Sequence, residues 1–253
     1  FPLDPIEFEW EYRIDTPVYG GDGSSIAITG CDGCPDQLII PNEIDGLPVT
    51  KIAYPGFRNQ GLTEIQFGAN IITLESFVFA ENQLTLVSLP DSTKTIGDYT
   101  FWRNNLSEII IPNNITTIGV SAFEDNELAS IQLGSGLETI GTFAFFESEI
   151  RSLIIPEAIS VVGAFSFANN PLVAVSFLGN RPSIATHAFW APGSLEIVTY
   201  CPQTEGWPGD AINIERSDPS YLITPTADCD ADGVLDFDDV FPNDASESTD
   251  TDS

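Results

Sequence analysis

Five aspartates near the C-terminus carry the clearest chemistry in this sequence. Asp228, Asp230, Asp232, Asp236 and Asp239 fall at positions 1, 3, 5, 9 and 12 of a loop, with Gly233 at position 6. Oxygen donors at that spacing, around a glycine that permits a sharp turn, are what Ca²⁺ requires, and the carbonyl of Val234 would supply position 7. Asp239 is shorter than the Glu that closes a helix–loop–helix calcium site. Pro225 before the segment and Phe241-Pro242 after it leave no room for two flanking helices. The spacing predicts a calcium loop of another kind.

Other constellations are sparse. The chain has one histidine, His187, in register with Phe77, Tyr99, Ser121, Phe143 and Phe165. That register assigns it to a structural column. No glycine-rich phosphate loop or nucleophile elbow is present, so no catalytic residues and no enzyme are expected. Cys31, Cys34, Cys201 and Cys229 can pair in three ways. A redox Cys-Asp-Gly-Cys would need a thioredoxin-like strand and helix, and zinc would need a second Cys-x-x-Cys. The expectation is a Cys31–Cys34 staple and a Cys201–Cys229 bridge tying the tail to the last coil, in an oxidising compartment.

The elements that must position these residues repeat. Phe79, Phe101, Phe123, Phe145, Phe167 and Phe189 stand 22 residues apart. Each unit opens on an apolar residue (Leu62, Leu84, Leu106, Leu128, Ile150, Leu172) and places two more, three and five residues on. Another apolar residue follows at Leu74, Ile96, Ile118, Ile140, Val162 and Ile184. Gly97, Gly119, Gly141 and Gly163 come next, where glycine permits a tight turn or close approach of neighbouring coils. Asn82, Asn104, Asn126 and Asn170 recur near the unit's end, with Ser148 in the remaining slot, and should satisfy turn backbone groups as a ladder. No single unit can bury its own apolar face, so the units must stack as a solenoid. Leu-x-x-Ile-x-Ile-Pro reads as a short strand that Pro90, Pro112 and Pro156 end.

This pattern, seen almost complete over 106–127, resembles the BspA-like leucine-rich repeat family. The resemblance spans about 19–200 and implies a right-handed solenoid with short parallel β-strands in a secreted or surface-attached protein, several relatives being adhesins. Residues from Asp228 resemble a truncated thrombospondin type 3 repeat in its bacterial form, including Phe241-Pro242-Asn243-Asp244. The domain expectation is an N-terminal cap with a β-hairpin (1–37), the solenoid (38–200) with an extra loop at 42–48 in its first coil, a C-terminal capping loop (201–224) and the acidic calcium-binding segment (225–253).

Composition narrows the partners. The 253 residues carry 38 acidic against 8 basic groups, a net charge of −30. That excludes nucleic acid and anionic membrane surfaces, which reward Lys and Arg, and favours cations or basic protein surfaces. No apolar run approaches the ~20 residues of a membrane span. The chain opens Phe-Pro-Leu-Asp and contains no Met, which predicts a processed, secreted fragment.

What remains is surface. Outward strand positions carry Glu64, Gln66, Leu86, Ser88, Glu108, Ile110, Ser130, Gln132, Ser152, Ile154, Ala174 and Ser176. A second candidate is a ridge of Trp102, Phe146 and Trp190. The expected function is a non-catalytic extracellular adhesion or binding module for a protein or polysaccharide. The rival expectations are a rigid calcium-braced spacer and an accessory module of a secreted enzyme.

Overall fold

The computed structural model describes residues 9–16, 23–190, 195, 197–201 and 222–224. An antiparallel hairpin comes first, β1 (Glu9–Ile14) with β2 (Ile26–Asp32). Then follow β3 (Gln37–Ile39), β4 (Glu43–Ile44), β5 (Leu47–Ile52), β6 (Glu64–Gln66), β7 (Thr73–Leu74) and β8 (Thr95–Ile96). The middle coils hold β9 (Glu108–Ile110), β10 (Thr117–Ile118), β11 (Ser130–Gln132), β12 (Thr139–Ile140), β13 (Ser152–Ile155) and β14 (Val161–Val162). The last strands are β15 (Ala174–Phe177), β16 (Ser183–Ile184), β17 (Ile197–Tyr200) and β18 (Leu222–Thr224).

These strands form a solenoid with two unlike sides. On one, a ten-stranded sheet runs without interruption through β1, β2, β5, β7, β8, β10, β12, β14 and β16, with β4 attached to β5. Its two-residue rungs pair parallel in strict register, Thr73 to Thr95 to Thr117 to Thr139. The other side carries the longer strands in three separate sheets: β3–β6, β9–β11 and β13–β15–β17–β18.

Between the two sides lies the core. Phe57, Phe79, Phe101, Phe123, Phe145, Phe167 and Phe189 are fully buried, and successive rings stack at 5.2–5.6 Å. Phe57 extends the expected column by one coil. Trp10 meets Phe57 edge-on at the first coil, and Phe177 meets Phe189 at the last. Each buried ring contributes about 1.5–3 kcal/mol, so the column is a main stabilising element.

The asparagine ladder forms as expected. Asn126 Oδ1 accepts from the Leu106 N–H at 3.1 Å, while its Nδ2 donates to the carbonyls of Phe101 and Phe123 at 3.0 Å. Asn82, Asn104 and Asn170 repeat this, each clamping its coil to the one before. Ser148 is too short, and its buried hydroxyl has no partner.

The glycine column serves close approach and not a turn. A Cβ at Gly97, Gly119, Gly141 or Gly163 would lie 2.5–2.8 Å from backbone of the preceding coil. Left-handed residues recur two positions later, at Phe77, Tyr99, Ser121, Phe143, Phe165 and His187, and four further on, at Glu81, Arg103, Asp125, Glu147 and Asn169, all with φ between 53° and 65°. That conformation costs a non-glycine residue roughly 1–2 kcal/mol. Where the residue is aromatic, ring stacking offsets it: Phe77 on Tyr99 at 4.6 Å, Phe143 on Phe165 at 5.1 Å and Phe165 on His187 at 5.0 Å.

Three other expectations change. The residues at 84–90 form no strand, although the repeat calls for one there. The segment 42–48, expected as a loop, contains a small hairpin of β4 and β5 turning on Asp45 and Gly46, both at positive φ. The expected closing loop at 201–224 ends in β18, which pairs parallel with β17 and adds another strand to the sheet.

Candidate binding face

The alternation of each longer strand turns Ile65, Ile109, Leu153 and Val175 into the core and their neighbours outward. Outward residues then align in two columns, because the strands pair without offset within each sheet. One column holds Gln37, Glu64, Glu108, Ser130, Ser152 and Ala174; the other holds Ile39, Gln66, Ile110, Gln132, Ile154 and Ser176. Leu86 and Ser88 face outward on the unpaired segment between β6 and β9. Every residue expected on this face from Glu64 to Ile154 is exposed, and Ala174 and Ser176 are half-buried.

Ile39, Leu86, Ile110 and Ile154 are each more than half exposed. They are separated by polar residues, so the face presents spaced apolar anchors on a hydrophilic ground. Ile39 was not among the expected positions. It precedes Gln66 by 27 residues and not 22, since the β4–β5 hairpin lengthens its coil and breaks the period.

Three cations are held in ion pairs away from the columns. Lys51 pairs with Asp15 at 2.8 Å, Arg58 with Glu81 at 2.7 Å and Arg103 with Asp125 at 3.2 Å. No Lys or Arg stands in either outward column, whose charged members are Glu64 and Glu108. Near the first coil the Tyr12 hydroxyl donates to Asp45, and this bond raises the phenol's pKa above its ordinary value.

The aromatic ridge is a different surface, and most of it is engaged. Trp102 packs edge-on against Tyr99 at 5.9 Å with the Arg103 guanidinium over its ring. Phe146 meets Phe143 edge-on at 5.2 Å. Trp190 is more exposed, at 40%. Two of the three rings thus cover the left-handed turns.

Cys31 and Cys34 are joined in a disulfide, as expected. Cys201 is buried and disulfide-bonded. Cys229 lies outside the described residues, as do the calcium-loop positions Asp228, Asp230, Asp232, Val234, Asp236 and Asp239. Among the described residues no group of three or more His, Cys, Asp or Glu side chains could hold a metal ion, and no helix is long and apolar enough to cross a membrane. A groove of about 840 Å³ opens in the strand face between β6 and the residues after Leu84.

A family model described as the BspA type leucine-rich repeat region matches residues 37–142 and 94–211, in six copies. Among solved structures, the pneumococcal vaccine antigen PcpA superposes with a TM-score of 0.55 at 16% identity, covering 78% of this chain and 64% of that one. A leucine-rich cell surface protein from Faecalibacterium prausnitzii follows, with a TM-score of 0.45 at 16% identity over 71% of this chain and 67% of that one. No curated protein sequence matches the chain.

Proposed function

Because the chain belongs to the BspA-type leucine-rich repeat family, we propose that it is a non-catalytic extracellular binding or adhesion module. Its strand face is the contact surface, and its partner is a protein or polysaccharide outside the cell. The observation that carries this reading is the row of exposed Ile39, Leu86, Ile110 and Ile154 among polar outward columns that hold no Lys or Arg. A solenoid spreads its contacts over such a face instead of gathering them in an enclosed site, and spaced apolar anchors ringed by polar groups are the common anatomy of a recognition surface. The fold shared with a pneumococcal antigen is consistent with display on a bacterial surface.

The partner is sought by measuring retention of the chain on immobilised matrix proteins and polysaccharides. Ile110→Asp combined with Ile154→Asp should abolish retention, whereas Thr117→Ser on the continuous sheet should leave it unchanged. Equal retention of all three proteins would remove the strand face from the proposal and favour a spacer role.

The calcium reading rests on the spacing of Asp228, Asp230, Asp232, Asp236 and Asp239 around Gly233. In this proposal the loop braces the tail of the module. Titration calorimetry should give saturable heat at millimolar Ca²⁺ or below, lost in Asp232→Asn; a flat titration would remove the metal.

A further inference from the structure

We infer that the ridge of Trp102, Phe146 and Trp190 binds an extended, neutral β-1,4-linked glycan laid along the stack, each ring carrying every second sugar. The ridge is a separate surface from the strand face, and neither reading depends on the other.

The ridge has a period of its own. Trp102, Phe146 and Trp190 each follow a core phenylalanine (Phe101, Phe145 and Phe189), whereas the coils between them carry Glu124 and Ala168 at that position. Aromatic rings therefore recur at every second coil. The core rings beside them step by 5.2–5.4 Å per coil, so the ridge positions lie two such steps apart.

Two of the rings are turned alike. Tyr99 stacks on Phe77 and Phe143 on Phe165, with planes within 6° of parallel, so these rings lie across the stack. Trp102 stands at 80° to Tyr99 and Phe146 at 89° to Phe143, which turns their planes to run along it. This edge-on packing fixes both rings without burying them: each is half-buried, and Trp190 is exposed. A ring held in place and still open to water is a preorganised platform.

Polar groups run beside the rings. The residues that follow the ridge positions, Arg103, Asp125, Glu147 and Asn169, are all exposed. Arg103 donates to Asp125 at 3.2 Å and Asn169 to Glu147 at 3.3 Å. The Arg103 guanidinium lies 4.4 Å over the Trp102 ring, but both side chains of its ion pair are more than half exposed. A pair so open to water is weak, and an arriving sugar can move the guanidinium to the edge of the ring.

Each feature selects a property of the ligand. A flat ring takes the C–H face of a pyranose, whose hydrogens meet the negative face of the π-system. In an extended β-1,4-linked chain each sugar is flipped relative to the last and advances by nearly one coil step. Every second sugar thus offers the same face at the interval of the ridge, whereas an α-1,4-linked chain curves out of register. The carboxylates of Glu124, Asp125 and Glu147 accept from hydroxyl groups. Within a chain of net charge −30 they also repel an anionic polysaccharide, which leaves a neutral one.

The test titrates the full chain by calorimetry with neutral β-1,4-linked oligomers of glucose, N-acetylglucosamine and mannose, from two to six sugars long. Three sugars reach two rings and five reach three. In the sugar that binds, affinity should therefore climb about tenfold or more at the trimer and again at the pentamer, with little change at the tetramer and hexamer. Trp190→Ala should lower the pentamer to the affinity of the trimer, with an unchanged denaturation midpoint showing the fold intact. No binding of any β-1,4-linked pentamer, a smooth rise with length, or equal affinity for an α-1,4-linked glucose pentamer overturns the inference. So does a pentamer affinity that Trp190→Ala leaves untouched. Loss of pentamer binding in Ile110→Asp with Ile154→Asp, without loss in Trp190→Ala, would move the glycan to the strand face, sinking this inference and supporting the other reading.

Discussion

The two sides of the solenoid are built from the same repeats, yet one is continuous and the other is cut into pieces. On the continuous side three devices fix the coil spacing together. Paired Thr-Ile rungs bond coil to coil, glycines let the backbones touch, and the buried asparagines and stacked rings behind them repeat the same step. On the strand face only the ladder bonds hold the rungs, and these fail on both sides of residues 86–89 and again between β11 and β13. At that second interruption Ile131 is half-buried and Leu133 retains 9% exposure. The difference teaches that the spacing is set from the packed side, while the strand face can be interrupted without loss of the stack.

This division makes graded predictions, each read from chemical denaturation of the purified chain. The largest effect is expected for Phe123→Ala, which removes a fully buried ring stacked at 5.4 Å and 5.3 Å on its two neighbours. The cost should be ~3–5 kcal/mol, and a loss under ~1 kcal/mol would deny the column its role. Asn126→Ala strands the Leu106 N–H and removes donors from two coils, so a loss of about 2–3 kcal/mol is expected. Gly141→Ala forces a Cβ to 2.6 Å from Gly119 backbone and should cost about 1–3 kcal/mol. A neutral result there would mean that glycine does not govern the approach of the coils.

Smaller changes sharpen the contrast. Ser148→Asn should stabilise by about 1 kcal/mol, since it returns an acceptor to the Leu128 N–H and fills the one gap in the ladder between Asn126 and Asn170. Ile110→Ser on the strand face should shift stability by no more than about 0.5 kcal/mol, because its side chain is mostly in water. A cost there comparable to that of Asn126→Ala would erase the distinction between the two sides.

Much of this architecture was legible in the sequence because burial repeats with the chain. The phenylalanine, leucine and asparagine columns each recur every 22 residues, and each column needs one environment. The outward positions followed from alternation within each strand. Other features were hidden for physical reasons. Ile39 lies out of step because a hairpin is inserted in its coil. The left-handed aromatic column was masked because a Phe or Tyr at positive φ contradicts local preference, and stacking on the ring of the adjacent coil helps to offset that cost. Glycine drew attention to the turn, whereas backbone from another coil imposed it.

The sequence by itself determined that the chain stacks, which residues fill the core, and which residues face outward. The tertiary structure alone decided where the strand face is joined and where it is open. Side-chain periodicity is a property of one coil, but a hydrogen bond between coils depends on how two backbones 22 residues apart lie against each other. Residues 84–90 keep the inward apolar positions of the repeat (Leu84, Val87 and Leu89), and their placement leaves those rungs unpaired and the groove beside them open.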